Sequence, residues 1–251
     1  MSHAHRYQSA ASTSHAAEIW LTNLSEVTAE LRDYYRELLT SQERERLGRI
    51  HTHHGDMPDQ YLVSRALCRT ALSHYAEVPS GAWVFDTNSY GKPHVTQPVW
   101  ARDLKFNISH TDGIVACAVS RNFELGLDIE NTQRDLDHWI VARAAFAPSE
   151  VVAMRSMPKH QQRQYFYTVW TLKEAYIKAQ GKGLLLPLDS FWFDLHDGIA
   201  RINYSEGCVD EPIPCQFSRF DPTPEHKMAI AVIGQADQDF TVGINWIVPF
   251  S

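Results

Sequence analysis

The stretch from Gln162 to Gly181, QRQYFYTVWTLKEAYIKAQG, sets the tightest limit on what this chain can fold into. It reads as one long helix closed by a glycine, the residue best able to leave the right-handed helical region. Tyr165, Phe166, Val169, Trp170, Leu172, Tyr176 and Ile177 spread bulky apolar groups around most of its circumference. Such a helix is largely buried and needs another layer to lie on. Glu174 and Lys178, one helical turn apart, share the face that remains. On a solvated helix they would be an ordinary surface ion pair. On this one they sit at an interface or line a cleft.

A partner layer is legible upstream. In ELGLDIEN, residues 124–131, side chains alternate across a strand, so Leu127 and Ile129 face one way and Asp128 and Glu130 the other. The apolar pair can pack on a core while the two acids repel each other at close range. A hard divalent cation relieves that repulsion, and magnesium takes one or two protein carboxylates with water and phosphate completing its shell. Acid pairs on exposed strands are common, so this pattern alone says little; Glu174 supplies a third acid.

The rest of the chain repeats one rhythm. Helical spacing over 24–48 (a second helix starting near Ser41) and over 60–78 precedes strands at 83–87, 104–111 and 113–120. Residues 137–146, 148–154 and 162–181 are again helical, and strands follow at 190–196, 199–204, 215–220, 227–234 and 240–248. Helices followed by antiparallel strands, twice over, predict an α+β fold of two similar-sized lobes, each with an antiparallel sheet packed on helices. The expected division is a flexible lead at 1–18, one lobe at 19–122 and a second at 123–251. Ser41 followed by Arg44 lacks the acid of a capping box.

Several function classes recede. A net charge of −7 argues against a nonspecific nucleic-acid binder. No apolar run is long enough for a membrane span, and the first twenty residues hold no signal-peptide core. Cys68, Cys117, Cys208 and Cys215 lack metal-type spacing and read as free thiols in a reducing cytoplasm. His51, His53 and His54 fit no standard zinc spacing. Neither a Walker A loop nor a GxGxxG is present. Ser109 and His110 offer a hydroxyl and an imidazole to a phosphate oxygen. They also look like half a catalytic triad, but no GxSxG elbow holds Ser109. Lys92 sits in a tight turn between Gly91 and Pro93. Arg44, Arg46, Arg49, Arg65 and Arg69 gather near Glu43 and Glu45, which suits local pairing.

In order, YGKP (90–93), FNISHT (106–111), GLDIE (126–130) and WTLKEAYIKAQGKGL (170–184) resemble the 4′-phosphopantetheinyl transferases of the Sfp type. Looser similarity runs from about residue 41 to 235. The resemblance implies a pseudo-two-fold arrangement of the lobes with coenzyme A between them. It implies transfer of the 4′-phosphopantetheine arm to a serine of an apo acyl or peptidyl carrier protein, releasing adenosine 3′,5′-bisphosphate. Asp128, Glu130 and Glu174 match the family's Mg²⁺ ligands. Lys178 matches the lysine near the coenzyme's phosphates, and Lys92, Ser109 and His110 match coenzyme-contacting positions. Arg46, Arg65 and Lys173 are further coenzyme-binding candidates. Glu174, or a metal-bound water, is the expected base, with Glu150, a recurrent acid before the long helix, as the second choice. The expected molecule is a cytoplasmic monomer with no nucleic-acid or membrane partner. The competing readings are a metal-dependent phosphohydrolase, with the same acids and water as acceptor, and a noncatalytic coenzyme A-binding module. The N-terminal lead and the last residues, FTVGINWIVPFS, have no clear counterpart in the family pattern.

Overall fold

A computed structural model describes residues 17–50, 57–183, 186–207, 213–234 and 240–251. His51, His53 and His54, whose spacing argued against a zinc site, most of the N-terminal lead and Cys208 lie outside these residues. The first lobe contains strand β1 (Ala17–Asn23), helices α1 (Ala29–Leu38), α2 (Ser41–Arg49) and α3 (Met57–Ser73), the hairpin β2 (Val84–Thr87) and β3 (Pro93–Gln97), then β4 (Lys105–Thr111) and β5 (Ile114–Ser120). The second contains β6 (Leu125–Asn131), α4 (His138–Ala145), α5 (Pro148–Ser156), the long α6 (Lys159–Gln180), the hairpin β7 (Phe191–His196) and β8 (Ile199–Tyr204), then β9 (Cys215–Phe220) and β10 (His226–Ile233). The final strand is β11 (Val242–Trp246).

The fold is α+β, built as α3, sheet, sheet, α6. The first sheet has the order β11-β1-β5-β4 and the second β6-β10-β9. Strand alternation supplies each sheet with two apolar faces. Trp20, Val115, Cys117 and Val119 point from the first sheet into a core shared with Leu62, Val63, Ala66 and Leu67 of α3. Ile19, Leu21, Ala116 and Ala118 point the other way, onto Leu127 and Ile129 of β6 and Met228, Ile230 and Val232 of β10. The opposite face of the second sheet, with Ala229 and Ala231, packs beneath Leu172, Ala175, Tyr176 and Ala179 of α6. Leu127 and Ile129 thus do what their spacing predicted. They form half of the seal between the sheets.

Three features depart from the local reading. The second helix is capped by Thr40 and not by Ser41. Thr40 Oγ1 accepts from Glu43 N–H, and the Glu43 carboxylate accepts from Thr40 N–H, so a full capping box exists one residue upstream. β11 runs parallel to β1, whereas the other pairings in the large sheets are antiparallel. It arrives from the second sheet and joins the first. Behind it, Ile247 O accepts from Thr22 Oγ1, Pro249 O accepts from buried Tyr35 Oη, and Phe250 meets Tyr34 and Tyr35 edge-on. The chain's last residues are therefore built into the first lobe. Among the described residues, no helix is long and apolar enough to cross a membrane.

Candidate active site

Gly126 brings α6 down onto β6. A Cβ there would stand 2.1 Å from Ala175 O and 2.3 Å from Ala179 N, so only glycine permits the approach. Asp128 and Glu130 follow on the same face of β6. On α6, Trp170, Glu174 and Lys178 are spaced by four along one face. β4 lies alongside with Ser109 and His110. Together with Ile108 these residues line a cavity of about 310 Å³. Neighbouring strand residues point to opposite faces, but β4 is an edge strand, so both Ser109 and His110 reach the cavity.

Asp128 is buried at 4% exposure. Its Oδ1 accepts from Lys178 Nζ at 2.6 Å and from Ser109 Oγ at 3.0 Å, while its Oδ2 is buried without a hydrogen-bond partner. Lys178 Nζ also donates to Leu127 O and Ser109 Oγ. Glu130 accepts from Arg134 Nη1 at 2.9 Å and Trp170 Nε1 at 3.2 Å. Burial, then the charge of Asp128, pushes the Glu130 carboxyl up against the pull of Arg134. Burial and then Asp128 likewise push the Glu174 carboxyl up, with Glu130 adding to the rise and Lys178 opposing it. The His110 imidazole is held down by lost hydration first, then by Lys178 and Arg65.

A basic shelf stands nearby on α2 and α3. The guanidiniums of Arg46 and Arg65 lie 5.8 Å and 5.2 Å from the Tyr61 ring centroid. Arg65 Nε is buried without a hydrogen-bond partner. The neighbouring Arg69 is spent structurally, bonded to both oxygens of Glu43 at 3.2 Å and 2.7 Å.

Three expected site residues are elsewhere. Glu150 is 1% exposed and Lys173 0%, and they pair at 2.8 Å inside the second lobe. Glu150 also accepts from Ala147 N–H and Phe193 N–H, and Lys173 also donates to Leu188 O and Phe191 O. Neither is among the residues that line the cavity, where a base and a coenzyme contact were expected: they tie α5, α6 and β7 together. Lys92 lines a separate cavity of about 200 Å³. Its Nζ donates to Glu124 at 2.8 Å and to Ala179 O at 3.0 Å, and Asn88 Nδ2 donates to Gly181 O. The YGKP turn thus clamps the C-terminal end of α6, where a cation meets the helix dipole favourably. Trp170 and Arg134 are the site residues the sequence reading missed. The four-residue spacing of Trp170 from Glu174 was the available signal, hidden because tryptophan on a buried helix reads as core.

Among the described residues, no group of three or more His, Cys, Asp or Glu is gathered as a ready metal cage. The donor set nevertheless suits a hard cation whose shell is completed by substrate and water: the Glu130 and Glu174 carboxyls, both pushed up by burial and by the charge of Asp128, and a buried Asp128 oxygen with nothing bound to it.

Residues 124–232 match the 4′-phosphopantetheinyl transferase superfamily, and residues 27–122 match the N-terminal part of 4′-phosphopantetheinyl transferases. The chain is 31% identical over 223 residues to 4′-phosphopantetheinyl transferase Sfp of Bacillus subtilis strain 168, covering 88% of this chain and 92% of that one. The chain belongs to this family. A second Bacillus subtilis 4′-phosphopantetheinyl transferase is 33% identical over 87% of this chain and 92% of its own length. 4′-Phosphopantetheinyl transferase HetI of Nostoc sp. PCC 7120 is 31% identical over 66% of this chain and 69% of its own length. A partial likeness to the crystal structure of Thermotoga maritima holo-[acyl-carrier-protein] synthase has a TM-score of 0.38 at 18% identity, over 45% of this chain and 64% of that one. The phosphopantetheinyl transferase is thus identified by sequence, through a match spanning both lobes.

Proposed function

We propose that this phosphopantetheinyl transferase moves the 4′-phosphopantetheine arm of coenzyme A onto a serine hydroxyl of an apo carrier protein. The observation that carries the reading is the cavity in which Asp128, Glu130, Glu174 and Lys178 converge. The serine oxygen attacks the phosphorus that bears pantetheine. The bond from that phosphorus to the bridging oxygen breaks, and adenosine 3′,5′-bisphosphate leaves. Asp128, Glu130 and Glu174 would hold Mg²⁺, which when bound offsets charge on the diphosphate.

The chain's own groups supply the rest. Lys178 already shares its ammonium among three acceptors and can pass one of those bonds to the leaving phosphate's oxygen. Glu174, on the cavity wall, takes the serine proton on its carboxylate. His110, kept toward its neutral form, and Arg65 beyond it extend the polar wall for the coenzyme's phosphates. Arg46, Arg65, Ser109 and His110 remain the proposed coenzyme contacts.

Incubating the protein with coenzyme A, Mg²⁺ and a panel of apo carriers tests this by mass spectrometry. The expected result is a gain of one phosphopantetheine on a carrier serine. Coenzyme breakdown without a carrier would mean a hydrolase. Tight coenzyme binding with neither reaction would mean a binding module.

A further inference from the structure

β4 and β6 are edge strands of different sheets with no backbone pairing between them. An edge strand presents a row of unpaired N–H groups, and buried N–H groups must find partners. Here the row is satisfied by side chains. Leu127 N–H donates to Asn107 Oδ1 at 2.9 Å, Ile129 N–H to Ser109 Oγ at 3.3 Å, and Asn131 N–H to Thr111 Oγ1 at 3.0 Å. Asn107, Ser109 and Thr111 alternate along one face of β4 and are only 5%, 6% and 5% exposed. The bonded amides alternate along β6 and bracket Asp128 and Glu130. The offset between partners is constant, so the two edges run side by side in a single register.

Ser109 couples that register to the cavity. Its oxygen accepts from Ile129 N–H while its proton goes to Asp128 Oδ1. Sliding β6 by two residues would move Asp128 away from Ser109 and bring Glu130 or Gly126 into its place. The outer bonds, at Asn107 and Thr111, oppose such a slide without touching the cavity, whose lining includes neither.

We propose that Asn107 and Thr111 are positioning residues: with Ser109 they form a side-chain seam, standing in for a backbone ladder, that holds Asp128 and Glu130 in register against Ser109 and His110. This rests on the reading of Asp128 and Glu130 as cation-holding groups, and it adds residues that touch neither substrate nor cation.

The test uses Thr111→Val, which keeps shape but removes the acceptor, Thr111→Ser, which restores it, and Asn107→Leu, all in the full chain. Alternate amides of a strand point to opposite edges, so those of Gly126, Asp128 and Glu130 face β10 and serve as internal controls. In Thr111→Val, amide exchange at Ile129 and Asn131 should quicken about tenfold or more, with the β10-facing amides within about twofold of wild type. The kcat for carrier modification should fall about tenfold and the half-saturating Mg²⁺ concentration rise severalfold, with the KM for coenzyme A within about twofold. Thr111→Ser should recover all of these. Unchanged exchange and kcat in Thr111→Val would overturn the proposal. So would uniform exchange along β6, or a loss that serine does not rescue. If the wild-type protein modifies no carrier, the functional reading fails, and the exchange pattern by itself upholds or removes the seam. Asn107→Leu should reproduce the pattern at Leu127; if it fails to fold, Thr111→Val and Thr111→Ser still decide.

Discussion

Lys173 and Lys178 leave the same helix, and each meets a carboxylate closely: Glu150 at 2.8 Å, Asp128 at 2.6 Å. In the first pair every charged atom has a partner. Glu150 accepts from two backbone amides as well as from the lysine, and Lys173 donates to two backbone carbonyls. Burial pushes Glu150 up and Lys173 down, each toward its neutral form, and their mutual attraction opposes both shifts. In the second pair Asp128 Oδ2 has no partner, and the Lys178 side chain is 28% exposed at the edge of a cavity. Burial and a short ion pair are common to both pairs; an oxygen without a partner beside an opening belongs only to the second.

The widest separation between the pairs should come from Asp128→Ala and Glu174→Ala. Each should cut carrier modification on the order of 10³-fold or more, with the unfolding midpoint little changed. Near wild-type turnover in either would break the comparison at its active end. Lys173→Met is the reverse case. It strands a buried carboxylate and should cost about 3–5 kcal/mol in a denaturant titration, with kcat per folded molecule preserved. Lys178→Ala should instead lose about 2–4 kcal/mol of transition-state stabilisation, read from kcat/KM. If the two lysine variants behaved alike, the distinction would be empty.

Glu174→Gln sharpens the comparison through pH. The folded Glu174 carboxyl titrates above its unfolded value, so its ionised form is disfavoured by folding. That cost is absent below the ordinary carboxylate range and complete above the raised folded value. Without divalent cations, the variant should therefore be more stable than wild type at neutral pH, by about 0.5–2 kcal/mol. The gain should fade as pH falls through the raised folded value and be gone below the ordinary value of 4.5, which unfolding at several pH values would show. The smallest effect is expected for Lys92→Ala. It loses the clamp on α6, about 1 kcal/mol, with the KM for coenzyme A moved less than about threefold. A large rise in KM confined to this variant would return Lys92 to the coenzyme site.

Much of the site could be read along the chain because period decides facing. The alternation in GLDIE put Leu127 and Ile129 in the inter-sheet core and both acids on the α6 side. The spacing of Glu174 and Lys178 put both on the cavity. Glu150 and Lys173 lie away from the cavity that Glu174 and Lys178 line, and the sequence does not separate the two pairs. All four are charges in apolar surroundings, and local pattern does not say whether a partner completes them. The seam escaped notice because its donors are backbone amides of a strand twenty residues away. In sequence, Asn107 and Thr111 are ordinary polar residues in a strand.

Side-chain order along each segment, set by the geometry of strand and helix, already determined which groups share a face, where α6 stops at Gly181 and which residues build the layers. Tertiary structure alone decided which charges are saturated, that the last strand returns to the first sheet, and that two edges meet through side chains. Facing follows from backbone period within a few residues, whereas saturation depends on how separate segments approach, and that is settled only when the whole core packs.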